Sequence, residues 1–160
     1  MSNADISLGF PVVLGTPASG DLRNCLGLIG QLAFFGASCA QNGTRVLRYG
    51  GVNADNVMHV NSGYKVRIYA LSASTLAGPA AGQTATISLL FNGADQAASF
   101  GAIVLSNTTL SSFAGPASGT YVEYDASAAT KTLSAQAVLT ATSGTVLISM
   151  TAYGLMFPTT

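Results

Sequence analysis

His59 is the single histidine of this 160-residue chain, so any nucleophilic hydrolysis would have to use it as the base. In Asn56-Val57-Met58-His59-Val60 it sits in an apolar run, where a hydrogen-bonded structural histidine is the expected outcome. Serines abound, yet no Gly-x-Ser-x-Gly elbow presents one of them as a nucleophile, which argues against a serine hydrolase. Cys25 and Cys39 match neither a Cys-x-x-Cys redox pair nor a four-ligand zinc site, and they read as buried free thiols. The six carboxylates Asp5, Asp21, Asp55, Asp95, Glu123 and Asp125 are scattered, and a calcium site needs six to eight clustered oxygens. Glu123 and Asp125 alone share a strand face, and an exposed polar edge strand accounts for them. No phosphate loop, dinucleotide fingerprint or helical metal motif is present. The chain is therefore expected to bind rather than catalyse, with no cofactor and no metal.

Arg45 and Arg48, close to Tyr49 and followed by Lys65 and Arg67, form the one basic concentration. On a strand, positions three apart face opposite ways, so one of the two arginines is interior or at an interface, docking to an acidic surface or a neighbouring subunit, with an ordinary solvated pair as the equal alternative. Six basic residues cancel six acidic ones, and charged residues make up 8% of the chain. Nucleic acid is excluded as a main partner, because phosphate neutralisation needs a basic patch. Alanine, serine, threonine and glycine together number 76 of the 160 residues. A surface so poor in charge lacks the usual protection against self-association, so much of it is expected to be covered by other copies or by a larger assembly.

These residues must be held by elements of strand length. Turn residues recur at Asn42-Gly43, Gly50-Gly51, Asn61 to Gly63, Gly78 to Gly82, Asn92-Gly93, Gly115 to Gly119 and Ser143-Gly144. Between them, Val66 and Ile68 alternate with Lys65, Arg67 and Tyr69, a half-buried strand. Thr84 to Phe91 and Ser99 to Leu105 are more continuously apolar, as in strands covered on both sides. Tyr121 to Asp125 alternates, with Val122 and Tyr124 on one side. Lys131 to Thr142 and Thr145 to Phe157, joined at Ser143-Gly144, predict a long terminal hairpin. Thr44 to Tyr49 and Asn56 to Val60 predict short strands, and Leu26 to Ala40, with glycines that disfavour helix, predicts a strand. Residues 1–20, with Pro11 and Pro17, predict an extended N-terminal arm that reaches a neighbouring subunit, with Phe10 and Pro11 as contact residues. Residues 21–160 are then one all-β, jelly-roll-type antiparallel sandwich. Neither a secretory signal nor a membrane span is expected: Met1 to Asp5 carries no basic stretch, and no apolar run approaches 18 residues.

From Ser62 onward the order of segments resembles the jelly-roll carbohydrate-binding modules and galactose-binding-like domains. The matching pieces are Gly63 to Ala70, Ala85 to Phe91, Gly119 to Tyr124 and Gly144 to Met150, each a turn or small-residue stretch feeding an apolar strand. The resemblance implies the fold more than sugar binding, since one architecture hosts many functions. Sugar faces rest on aromatic platforms, and this chain has no tryptophan. In composition the chain resembles small bacteriophage virion proteins, especially the decoration or cement proteins that sit on capsids. That resemblance implies a homotrimer in the virion that binds the major capsid protein and stabilises the shell without chemistry. A carbohydrate- or receptor-binding module of a phage tail is the alternative. An exposed aromatic cluster on one sheet face would favour it.

Overall fold

The computed structural model describes residues 30–40, 42–51, 53–76, 78–140 and 145–159. Arm residues Phe10 and Pro11, Cys25 and the Ser143-Gly144 turn lie outside these. The described chain is almost entirely antiparallel β-structure. In order come β1 (Gly30–Ala40), β2 (Gly43–Tyr49), β3 (Met58–Val60), β4 (Tyr64–Thr75), β5 (Thr84–Phe91) and β6 (Ala94–Asp95). A single turn of helix, α1 (Ala97–Phe100), precedes β7 (Ile103–Ser106), β8 (Ser111–Ala114), β9 (Val122–Asp125), β10 (Lys131–Leu139) and β11 (Thr145–Pro158).

Hydrogen bonding links the strands into one curled sheet that folds over as two layers. The first layer runs β1, β11, β4, with β8 and β9 sharing the far edge of β4. The second runs β2, β10, β5, with β6 and β7 sharing the far edge of β5 and β3 lying beside β10. Of the long strands, β1, β4 and β11 thus lie in the first layer and β2, β5 and β10 in the second, an all-β, sandwich-like arrangement. The layers join at β2, whose Leu47 faces Ala135 of β10 while its Arg48 and Tyr49 face Gly36 and Phe35 of β1.

The pleat explains the core. Along β4, Val66, Ile68, Leu71 and Ala73 point inward, and along β11 Val146, Ile148, Met150 and Ala152 do. The second layer answers with Leu47, Ile87, Leu89 and Leu133, all essentially without exposure. In the adjacent pair Phe34-Phe35, Phe35 is fully buried and Phe34 is 40% exposed, as opposite sides of a strand require. Turn chemistry is local: Asn92 and Gly93, at φ 50° and 80°, take the left-handed conformation that closes the β5–β6 hairpin.

Two expectations are corrected. Lys131 to Thr142 and Thr145 to Phe157 are not a hairpin, because β10 pairs with β2, β3 and β5 while β11 pairs with β1 and β4. Both strands need apolar neighbours on two sides, and the layered arrangement supplies them where a two-stranded ribbon would not. The Ser99 to Leu105 run begins in helix, since Phe100 enters the core from α1 and Gly101, at φ 75°, breaks the chain before β7. Cys39 is a buried free thiol, as read from the sequence, and burial raises its pKa while the Arg45 charge opposes the shift. No helix among the described residues is long and apolar enough to cross a membrane.

The core holds an unmatched tyrosine hydroxyl among the described residues. Tyr124 is buried and stacks on Phe91 with ring centroids 4.7 Å apart, yet its hydroxyl has no hydrogen-bond partner among the described residues. A buried orphan hydroxyl costs about 1–3 kcal/mol. Tyr124→Phe is therefore expected to raise the denaturant midpoint by about 1 kcal/mol of stability. A lowered midpoint would show that the hydroxyl is satisfied.

Candidate binding surfaces

His59 alternates with buried Met58 and Val60, so it points to solvent and not into the core. Its Nε2 bonds the Asp55 carboxylate, four residues earlier, and this hydrogen bond is the main reason the Asp55 pKa lies below its ordinary value. Among the described residues no serine hydroxyl bonds the imidazole, so the pair is a strand-entry contact without a nucleophile in place. No group of three or more His, Cys, Asp or Glu among the described residues could hold a metal ion.

The outward side of the first layer divides into two ends. At one end the β4–β9 register sets Arg67 opposite Glu123 and Lys65 opposite Asp125. Lys65 Nζ lies 3.0 Å from Glu123 Oε1 and 3.3 Å from Asp125 Oδ2, and Arg67 Nε lies 2.8 Å from Glu123 Oε2. The Arg67 guanidinium sits 4.7 Å from the centroid of the Tyr121 ring and 4.6 Å from that of Phe157. Tyr69 packs on Tyr121 at 5.7 Å. The cluster fastens the four-residue β9 to the sheet, and it covers one face of each of two rings that a sugar would need.

Hydrogen bonds from Arg67 and then Lys65 hold Glu123 below its usual pKa, and Asp125 is lowered chiefly by its bond to Ser127. Groups whose folded pKa is depressed contribute stability that is complete above their unfolded values and lost as pH falls through the folded ones. The unfolding midpoint should therefore hold level from neutrality down to about pH 5 and decline below it, read by a denaturant series at several pH values. A midpoint that rises on acidification would contradict these pairings.

At the other end the charge disappears. Phe34, Gly36, Ala37, Ser74, Leu76, Leu110, Ser111, Leu147 and Ser149 help to line an open, mainly apolar groove of about 530 Å³. No charged side chain lines it. Leu76 is 87% exposed, Leu147 48% and Phe113, on the edge strand β8, 66%. Serines fill the spaces between them, with Ser74 and Ser149 bonded to each other at 3.0 Å.

The outward side of the second layer carries a separate apolar patch. Val138 lies directly between Thr44 and Thr86, Val104 lies beyond Thr86, and Val46 sits beside them opposite Gln136. All three valines are at least 40% exposed. Of the two arginines, Arg48 points outward where β2 crosses to the first layer, opposite Gly36 of β1, and makes no ion pair with a described residue. Arg45, in phase with Leu47 and opposite Ala137 but exposed, donates to the Thr44 carbonyl at 3.3 Å, and its charge reaches Cys39. The two do fall on opposite faces. Sequence reading did not single out Phe113, Leu147, Val46 or Val138. The last three stand out of phase with buried Ile148, Leu47 and Ala137, and that alternation is the signal that would have found them.

No protein-family model and no curated protein matches the chain.

Proposed function

We propose that this chain is a structural virion protein, a capsid decoration or cement subunit that assembles as a homotrimer and binds the outside of a phage shell without catalysis. The observation that carries the reading is the pair of exposed apolar patches on opposite outward faces of one charge-poor sandwich. In a closed ring of three, the two contact surfaces of a subunit are inclined by only about 60°, so opposite faces cannot both serve the ring. One face is used between copies, and the other is left for a different partner. The second-layer face, with Val46, Val104 and Val138, suits the major capsid protein, its valines giving apolar contact, while Arg48, where β2 crosses to the first layer, meets an acidic surface at the border.

The test is co-sedimentation of the purified chain with phage shells assembled without it. Binding that Val46→Asp and Val138→Asp together abolish, with the solution mass of the chain unchanged, supports the reading. Failure of the unaltered chain to sediment with shells overturns it. The carbohydrate- or receptor-binding alternative draws on the Tyr69, Tyr121 and Phe157 cluster, but the position of Arg67 between two of these rings makes it the weaker reading.

A further inference from the structure

The turn of the β5–β6 hairpin, Asn92-Gly93, holds an electrophile and a nucleophile side by side. The backbone nitrogen after an asparagine attacks the side-chain amide carbon when the carboxamide is unbound, the nitrogen is not donating elsewhere and no side chain crowds the approach. Asn92 and Gly93 are both exposed. The Asn92 backbone N–H donates to the Thr132 carbonyl at 2.7 Å, but among the described residues its carboxamide has no hydrogen-bond partner and the Gly93 N–H donates to none. A Cβ placed on Gly93 would meet nothing within 4 Å, so the space around that nitrogen is open.

The other described asparagines each fail a condition. Asn53 and Asn56 donate from their carboxamides to the carbonyls of Val57 and Ala54, at 2.7 and 3.5 Å. Asn107 is followed by Thr108, whose branched Cβ crowds the nitrogen, and Asn61 by Ser62, whose N–H donates to Thr130 Oγ1 at 3.2 Å. Asn42 also precedes a glycine, but Gly43 already belongs to β2, opposite Leu139, and the ladder restrains its rotation. The attack turns the backbone about Asn92, and β6, two residues long and held by two pairs, yields to local opening.

We propose that Asn92 is a self-modification site, where the carboxamide is exchanged for a carboxylate through a cyclic imide with Gly93 and the isoaspartyl product unfastens β6. The Gly93 nitrogen gives its proton to solvent base and bonds to Asn92 Cγ; the carboxamide C–N bond breaks and ammonia leaves. Water then adds to one imide carbonyl and opens the ring. Opening at Cγ gives aspartate on the original backbone, and opening at the backbone carbonyl gives isoaspartate, with one methylene more in the chain. In sum one water enters and one ammonia departs, without oxidant or reductant. The extra methylene matters because the length of a two-residue turn sets the register of its strands. The next strand residue but one is Asp95, which accepts from Ser88 Oγ at 3.0 Å, Gln136 Nε2 at 2.9 Å and the Ala97 N–H at 2.8 Å, tying α1 to the second layer.

The test is to hold the folded full-length chain at mildly alkaline pH in water carrying heavy oxygen, and to map its peptides by mass. The peptide with Asn92 should lose ammonia and take up heavy oxygen several-fold faster than the peptide with Asn42, whereas in denaturant the two should convert alike. The isoaspartyl form, separated from the aged sample, should unfold at a lower denaturant midpoint. Asn92→Asp, which adds the charge without the methylene, should keep the midpoint of the unaltered chain. If Asn92 keeps its amide in the folded chain, or converts no faster than Asn42, the turn does not select it and the inference fails. An isoaspartyl form that unfolds with the unaltered chain would overturn the unfastening of β6.

Discussion

Gly154→Ala is expected to destabilise the sandwich by roughly 3 kcal/mol, at the upper end of what overpacking costs. A Cβ at Gly154 would lie 2.2 Å from the carbonyl oxygen of Arg67 and 3.2 Å from Cα of Ile68. Both are backbone atoms, so no rotamer change can make room. The residue stands at the register shift between Tyr153 and Gly154, where β11 changes its alignment on β4, and that ladder joins the two longest strands of the first layer. Gly82→Ala is the control: at φ 78° it is strained, but an added Cβ meets nothing within 4 Å, so a loss of only about 1 kcal/mol is expected. Denaturant midpoints for both variants check the contrast. A Gly154→Ala midpoint equal to that of the unaltered chain would show that β11 does not approach β4 so closely.

The second large effect lies in the core where the layers join. Phe35 is fully buried, packs against Tyr49 with ring centroids 5.9 Å apart, and lies opposite it in the β1–β2 pairing. Truncating a buried phenylalanine removes its transfer free energy and leaves a cavity, so Phe35→Ala should cost about 3–5 kcal/mol. Phe34→Ala, one residue away but outward, should change stability by about 0.5 kcal/mol or less. Similar losses at the two positions would mean that the strand face has been assigned the wrong way round.

That pair also shows how much was legible in the sequence. Period-two alternation located β4 and β9 to within a few residues, and apolar runs bounded by turn residues located β5, β10 and β11. It could not reveal pairing. Ser143-Gly144 is a good hairpin signal, but which strands flank β10 and β11 is decided by long-range burial of both their sides, and this sends them to different layers. Strand β8 was missed because Ser111-Ser112-Phe113-Ala114 follows Asn107-Thr108-Thr109 and looks like continued loop, while its pairing with β4 comes entirely from distant residues. The candidate surfaces were legible in part. The opposite facing of Arg45 and Arg48 followed from strand geometry, whereas the groove is assembled from β1, β4, β11 and the approach to β8, and no local pattern announces it.

The central claim is that this charge-poor sandwich works by packing against copies of itself. Light scattering on the purified chain across a dilution series tests it most directly. A mass near three times 16.1 kDa that persists on dilution is the predicted result. A mass of 16.1 kDa at every concentration would contradict the account.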